Sequence, residues 1–147
     1  MSYPYVRRTY SLVTSSSGYV TGDVIGGLTQ VQNISPMGFI QGVNITSKSS
    51  LTSQVDFCTY RSSMPNSTIT DNTAISVSTL DSTSMGPVIH VADWTSQGTP
   101  YLGTANGLAY EYGVSDGSSG FYFALVVRGT TTLASTNDIQ VTITLVS

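Results

Sequence analysis

The chain reads as an all-β protein: a single-domain β-sandwich, built as an eight-stranded jelly roll, with an immunoglobulin-like sandwich as the runner-up. Three observations predict it. The β-formers Val, Ile, Tyr, Phe and Thr are plentiful, while Lys, Glu and Ala are sparse. About eight short strand-like runs recur, separated by turns rich in Gly, Pro and Ser. No segment carries a helical hydrophobic period. The length of 147 residues fits one domain over 1–147, large enough to fold without metal or disulfide. The immunoglobulin alternative lacks paired cysteines, since Cys58 is alone.

Residues 1–4 are expected to form a loose arm. A first strand covers Tyr5 to Thr14, and the Ser15-Ser16-Ser17-Gly18 cluster turns the chain. The next run, Tyr19-Val20-Thr21-Gly22-Asp23-Val24-Ile25-Gly26-Gly27-Leu28, organises the strands around it. Gly22-Asp23 reads as a turn, because Gly tolerates positive φ and Asp bonds nearby backbone. Gly26-Gly27 interrupts the second strand (Asp23 to Asn33), which points to a bulge or a close backbone approach. After a turn at Ile34-Ser35-Pro36-Met37-Gly38, a third strand runs from Phe39 to Thr46. Its alternation puts Phe39, Val43 and Ile45 on one face, with Gln41 out of pattern.

A fourth strand spans about Thr52 to Tyr60. The polar stretch from Arg61 to Ser84 is long for a structureless connection, so a short strand or helical turn is expected near Ala74 to Leu80. The fifth strand is Val88 to Trp94, followed by a turn at Gln97-Gly98-Thr99-Pro100. The sixth lies within Tyr101 to Gly113, clearest over Leu108 to Tyr112. A turn-rich loop covers Val114 to Gly120. The seventh strand, Phe121 to Arg128, is apolar at alternate and intervening positions alike. It should lie centrally, covered on both faces. In the last strand, Asp138 to Val146, the inward set is Ile139, Val141, Ile143 and Leu145.

Charged residues make up 9% of the chain, against about 25% in typical soluble proteins. Ser and Thr take their place, at roughly three residues in ten. Such a surface suits a protein packed in many copies or one that meets sugars. With a net charge of −3 and no basic cluster beyond Arg7-Arg8, nucleic acid is not an expected partner. No apolar run is long enough to cross a membrane as a helix, and no leader-like segment is visible. The expectation is a soluble chain made in a reducing cytoplasm.

Catalytic chemistry finds little support. His90 is the only histidine, and Asp93, three residues on, falls on the other face of the strand. Cys58 sits in a strand-like run and reads as a small buried hydrophobe. One His and one Cys cannot build a zinc site, and Asp71-Asn72 and Asp116-Gly117 read as turns rather than calcium loops. The glycines of Gly22 to Gly27 lack the Lys-Ser/Thr of a phosphate loop, and no helix follows. No cofactor is expected. Trp94, Tyr101, Tyr110 and Tyr112 lie near one another and are candidate binding aromatics for a glycan, if they form an exposed platform.

The run from Tyr19 to Gly27 resembles a Tyr-x-x-Gly-Asp-Val-x-Gly-Gly signature of small virion proteins of tailed bacteriophages. Val43-Asn44-Ile45-Thr46, Thr68-Ile69-Thr70-Asp71-Asn72-Thr73-Ala74 and Val91-Ala92-Asp93-Trp94 are similar to later segments of that family, in the same order. The resemblance implies a jelly roll on the virion surface. It implies a decoration (cement) protein that contacts the major capsid protein, commonly as an oligomer, with a trimer favoured here, and no catalytic residues. Family members often carry more charge near the Thr-Asp-Asn segment than this chain does. Arg7, Arg8 and the N-terminal arm are the candidate capsid contacts. The alternative is a fibre, tail-tip or carbohydrate-binding jelly roll using the aromatics.

Overall fold

The structure is a computed structural model, and it describes residues 5–114 and 120–147. The expected arm at 1–4, Asp116 and most of the Val114–Gly120 loop lie outside the described residues. Twelve strands are present among the described residues. They are β1 (Tyr5–Ser11), β2 (Gly18–Tyr19), β3 (Val24–Gln30), β4 (Met37–Ser47), β5 (Val55–Tyr60), β6 (Met85–Val91), β7 (Asp93–Ser96), β8 (Tyr101–Ala105), β9 (Tyr110–Gly113), β10 (Tyr122–Val127), β11 (Thr131–Thr132) and β12 (Ile139–Val146). A 3-10 helix, Thr79–Ser84, falls inside the long polar stretch, slightly past the position expected.

Sheet I has the order β1-β12-β4-β8-β7, with β9 also pairing with β4. Sheet II has the order β3-β10-β5-β6, and β2 pairs with β11 in a small ribbon. Among the eight strands β1, β3, β4, β5, β6, β8, β10 and β12, the chain changes sheet at every step except β5 to β6. All pairings between named strands are antiparallel. Two four-stranded sheets wound in that order are a jelly roll.

Alternation fills the space between the sheets. Ile139, Val141, Ile143 and Leu145 of β12 are buried, as their spacing predicts. They meet Ile40, Val43 and Ile45 of β4, and Val55 and Phe57 of β5. Phe123 stacks on Phe57 with ring centres 4.8 Å apart, and Tyr10 tilts against it at 5.7 Å. β10 is buried on both faces for a second reason. Ala124 and Val126 point away from sheet I into a smaller core with Val24, Cys58, Tyr60 and Met64. Leu28, Ile69, Ile75 and Val77 close that core, three of them from the 61–84 stretch, so a loop covers part of the outer side of sheet II and leaves Met85 and Val88 of β6 exposed.

Three expectations are corrected. Phe39 is half-exposed, and Ile40 is buried instead. The cause is a bulge: Thr144 pairs with Gly42 but Leu145 pairs with Ile40, so Gln41 is skipped and the inward phase slips by one residue. The run Val88 to Trp94 is two strands. It bends at Ala92 and passes from sheet II to sheet I. The Tyr101 to Gly113 run also divides. Leu108 and Ala109 lie outside any strand, between β8 and β9, and Leu108 N–H donates to the Gln41 carbonyl at 2.8 Å.

Candidate functional site

The glycine-rich run is a joint between segments distant in sequence. Gly22 has φ +97 and donates its N–H to the Val127 carbonyl at 2.8 Å, while the Asp23 carboxylate accepts from Val20 N–H at 2.9 Å. Gly26 and Gly27 have φ +84 and +76, a region that L side chains disfavour. Between the pairs Leu125–Ile25 and Phe123–Thr29, β10 advances two residues and β3 advances four. The glycines therefore form a bulge. Its freed Gly26 N–H donates to Asp71 at 2.8 Å. The buried Tyr19 hydroxyl donates to the same oxygen at 2.7 Å, and Ser15 Oγ reaches the other at 2.7 Å. Burial, then the Asp71 carboxylate, pushes the Tyr19 phenol up to about 12. Val24 exchanges backbone hydrogen bonds with Asn72 and Thr73. Two motifs separated by about fifty residues thus meet as one structural unit, and no side chain in it is poised for chemistry.

Arg7 and Arg8 do not act together, because neighbours on a strand face opposite ways. Arg8 is committed within the molecule. Its guanidinium donates to the carbonyls of Arg7 (3.1 Å), Gln32 (3.4 Å) and Asn33 (2.8 Å), tying the edge strand β1 to the end of β3. Arg7 lies on the exposed face of sheet I. The aromatic set does not converge either. The Trp94 ring packs over Gly103, and its Nε1 donates to the Ser53 carbonyl at 2.9 Å. Tyr112 is buried against Phe121, ring centres 4.9 Å apart. Tyr101 sits opposite Ser47 and Tyr110 opposite Ile40, far apart along β4. These four residues form no common platform, which removes the basis for a glycan site there.

The outer face of sheet II carries a different site. Cys58, Ile75, Val77, Met85 and Val88 line an open depression of about 190 Å³, rimmed by Thr59, Tyr60, Gly86 and Arg128. Met85 and Val88 are exposed, and Leu80 in the adjoining 3-10 helix is 77% exposed. At the rim the buried Asp56 carboxylate accepts from Arg128 Nε at 2.7 Å, meets His90 Nδ1 at 2.6 Å and accepts from Gln54 Nε2 at 2.8 Å. Burial alone would raise the Asp56 pKa; the hydrogen bonds from His90, Arg128 and Gln54 outweigh it and hold it low. Cys58, on the same face, is pushed up to about 11 by burial and the neighbouring Asp56, so its thiol stays protonated.

Sequence reasoning missed this face. The signal was present in the alternation of Asp56, Cys58 and Tyr60 along one strand. What it lacked was the register that sets His90 opposite Asp56 and Val88 opposite Cys58.

Fold and faces define the class: a jelly-roll β-sandwich with an apolar, polar-rimmed depression on one sheet. No protein-family model matches the chain, and no curated protein does. Among solved structures, the chain is similar to one described as turnip yellow mosaic virus, at 13% identity and a TM-score of 0.30. That match covers 99% of this chain and 95% of the other. So low a score supports no conclusion, and the fold assignment rests on the strand order.

Proposed function

We propose that this chain is a non-enzymatic structural protein of a virion, a capsid decoration (cement) protein that binds the outer surface of a tailed phage's major capsid protein. The observation that carries the reading is the outer face of sheet II. It has the anatomy of a protein contact: an apolar centre at Met85 and Val88, with Arg128 at its edge, ion-paired to the buried Asp56 that His90 also meets. The rim charges are already paired inside the chain, so covering them strands no lone ion. The resemblance to phage virion proteins supports the same reading. Two of its segments, Tyr19 to Gly27 and Thr68 to Ala74, are hydrogen-bonded to each other in the fold.

In this reading the contact lies on sheet II rather than at the Arg7–Arg8 pair, because Arg8 is engaged internally. A trimer would present three such faces together, and multivalency would make a modest contact persistent. Cementing would come from area buried repeatedly across neighbouring capsomers. The experiment is to heat particles prepared with and without the protein. Particles lacking it should release their genome at a lower temperature, and re-addition of purified protein should restore the difference. Equal release temperatures would reject the cement role.

A further inference from the structure

We propose that the outer face of sheet I, opposite the proposed capsid contact, carries a binding site for an acidic sugar unit of a glycan. Arg7, Thr144 and Gly42 stand in register across β1, β12 and β4. The bulge at Gln41 and the turn after β8 open the surface at this point. A depression of about 360 Å³ results, lined by Arg7, Gln41, Asn44, Asn106 and Thr144. Gly42 forms its floor, where the Asn106 carboxamide lies so close that any Cβ would collide with it.

The unusual feature is that this polar cluster is unengaged. None of those five side chains makes a hydrogen bond or ion pair among the described residues, and the buried Oδ1 of Asn44 has no partner. Elsewhere the polar clusters are saturated. Asp138 accepts from Ser47, Lys48, Ser49 and Ala134, and Asp81 from Asn66 and Ser67. Water can serve the exposed members of the set, but a buried polar atom without a partner is uncommon in a folded chain, and Asn44 Oδ1 belongs to a residue that lines this depression.

The chemistry of the set selects the ligand. One guanidinium calls for a carboxylate, which it can hold in a bidentate pair. Three carboxamides and a hydroxyl call for groups that donate and accept at once, and sugar hydroxyls satisfy a carboxamide in either orientation. No carboxylate lines the depression, so a cation is not the ligand. A simple anion would leave the amides unmatched. Tyr5 and Phe39, both half-exposed and aligned across Val146, lie one row along the same face. They offer an apolar shelf for the C–H face of a pyranose.

The experiment titrates the full chain, followed by 1H–15N NMR, with sodium glucuronate, glucose, sodium acetate and N-acetyl-aspartate amide. Glucuronate should bind saturably and shift signals around Arg7, Gly42, Asn44 and Asn106. Glucose and acetate should each bind about tenfold more weakly, the loss expected when a charged hydrogen-bonded pair or the hydroxyl set is removed. Arg7→Gln should reduce glucuronate to the level of glucose, and Asn44→Ala should weaken both sugars. Both residues lie outside the core, and an unchanged spectrum elsewhere verifies folding. Acetate binding as well as glucuronate would mark an anion site, tighter aspartate amide binding would mark a protein socket, and no shifts in this region would mark no site; each result overturns the proposal. None depends on whether the protein cements a capsid.

Discussion

Gly26 shows how one residue can be dictated twice. Its φ of +84 excludes most side chains on backbone grounds. A Cβ at this position would also fall 2.7 Å from Leu12 Cβ, which is buried. Gly26→Val should therefore lower stability by about 2–5 kcal/mol, the sum of a left-handed backbone cost and overpacking. Urea denaturation measures it, and a change under about 0.5 kcal/mol, the range of an ordinary surface substitution, would show that the bulge is not needed. Asp71 is the complementary case. Asp71→Ala leaves the Tyr19 hydroxyl and Gly26 N–H without their acceptor. A loss of about 2 kcal/mol or more is expected from stranding two donors. The glycine half of this joint was legible in the sequence, because dense glycines inside a strand have few other meanings. The Asp71 half was not, since a Thr-Asp-Asn-Thr run reads locally as a turn and its partners lie about fifty residues away.

At the scale of elements, the phase of β4 is the sharpest point. Ile40 and Phe39 are neighbours of similar character, and only the Gln41 bulge decides which is inside. Ile40→Ala should cost about 2–5 kcal/mol as a core truncation. Phe39→Ser should cost under about 0.5 kcal/mol, as surface changes do. The reverse order in thermal melts would restore the unbulged register. The sequence carried a trace of this in Gln41, which breaks the alternation, but alternation alone cannot say to which side a strand slips. β12 has no bulged residue of its own, and its inward set could be read directly.

The buried carboxylates obey a different logic. Asp56 and Asp138 are buried, which by itself would raise their pKa values, yet the donors around them prevail and lower both. A carboxyl with a depressed folded-state pKa stabilises fully above its unfolded value, near 4, and loses that contribution as pH falls through the folded value. Stability to urea should therefore stay level from neutrality to about pH 4 and fall below it. Asp138→Asn should be less stable at neutral pH and show a shallower acid decline. An equally steep decline in that variant would place the acid sensitivity elsewhere.

For the whole molecule, the jelly roll separates two surfaces of unlike chemistry. Sheet II presents Met85 and Val88 beside ion-paired charges. Sheet I presents threonines, amides and the exposed Arg7. The all-β class, the sandwich and the doubly covered β10 follow from composition and alternation. Which strands join which sheet does not, because that depends on long-range register. For the same reason the aromatics near Trp94 looked like one surface and proved to be scattered. The proposed capsid contact is the outer face of sheet II. Its most direct measurement is binding of purified protein to particles stripped of it, comparing native chain with Val88→Asp, a change at an exposed position that places a charge in the apolar centre. Native protein should saturate at a copy number in proportion to the capsid subunits, while the folded Val88→Asp protein should fail to bind. Equal binding by the two, or saturation at only a few copies per particle, would contradict it.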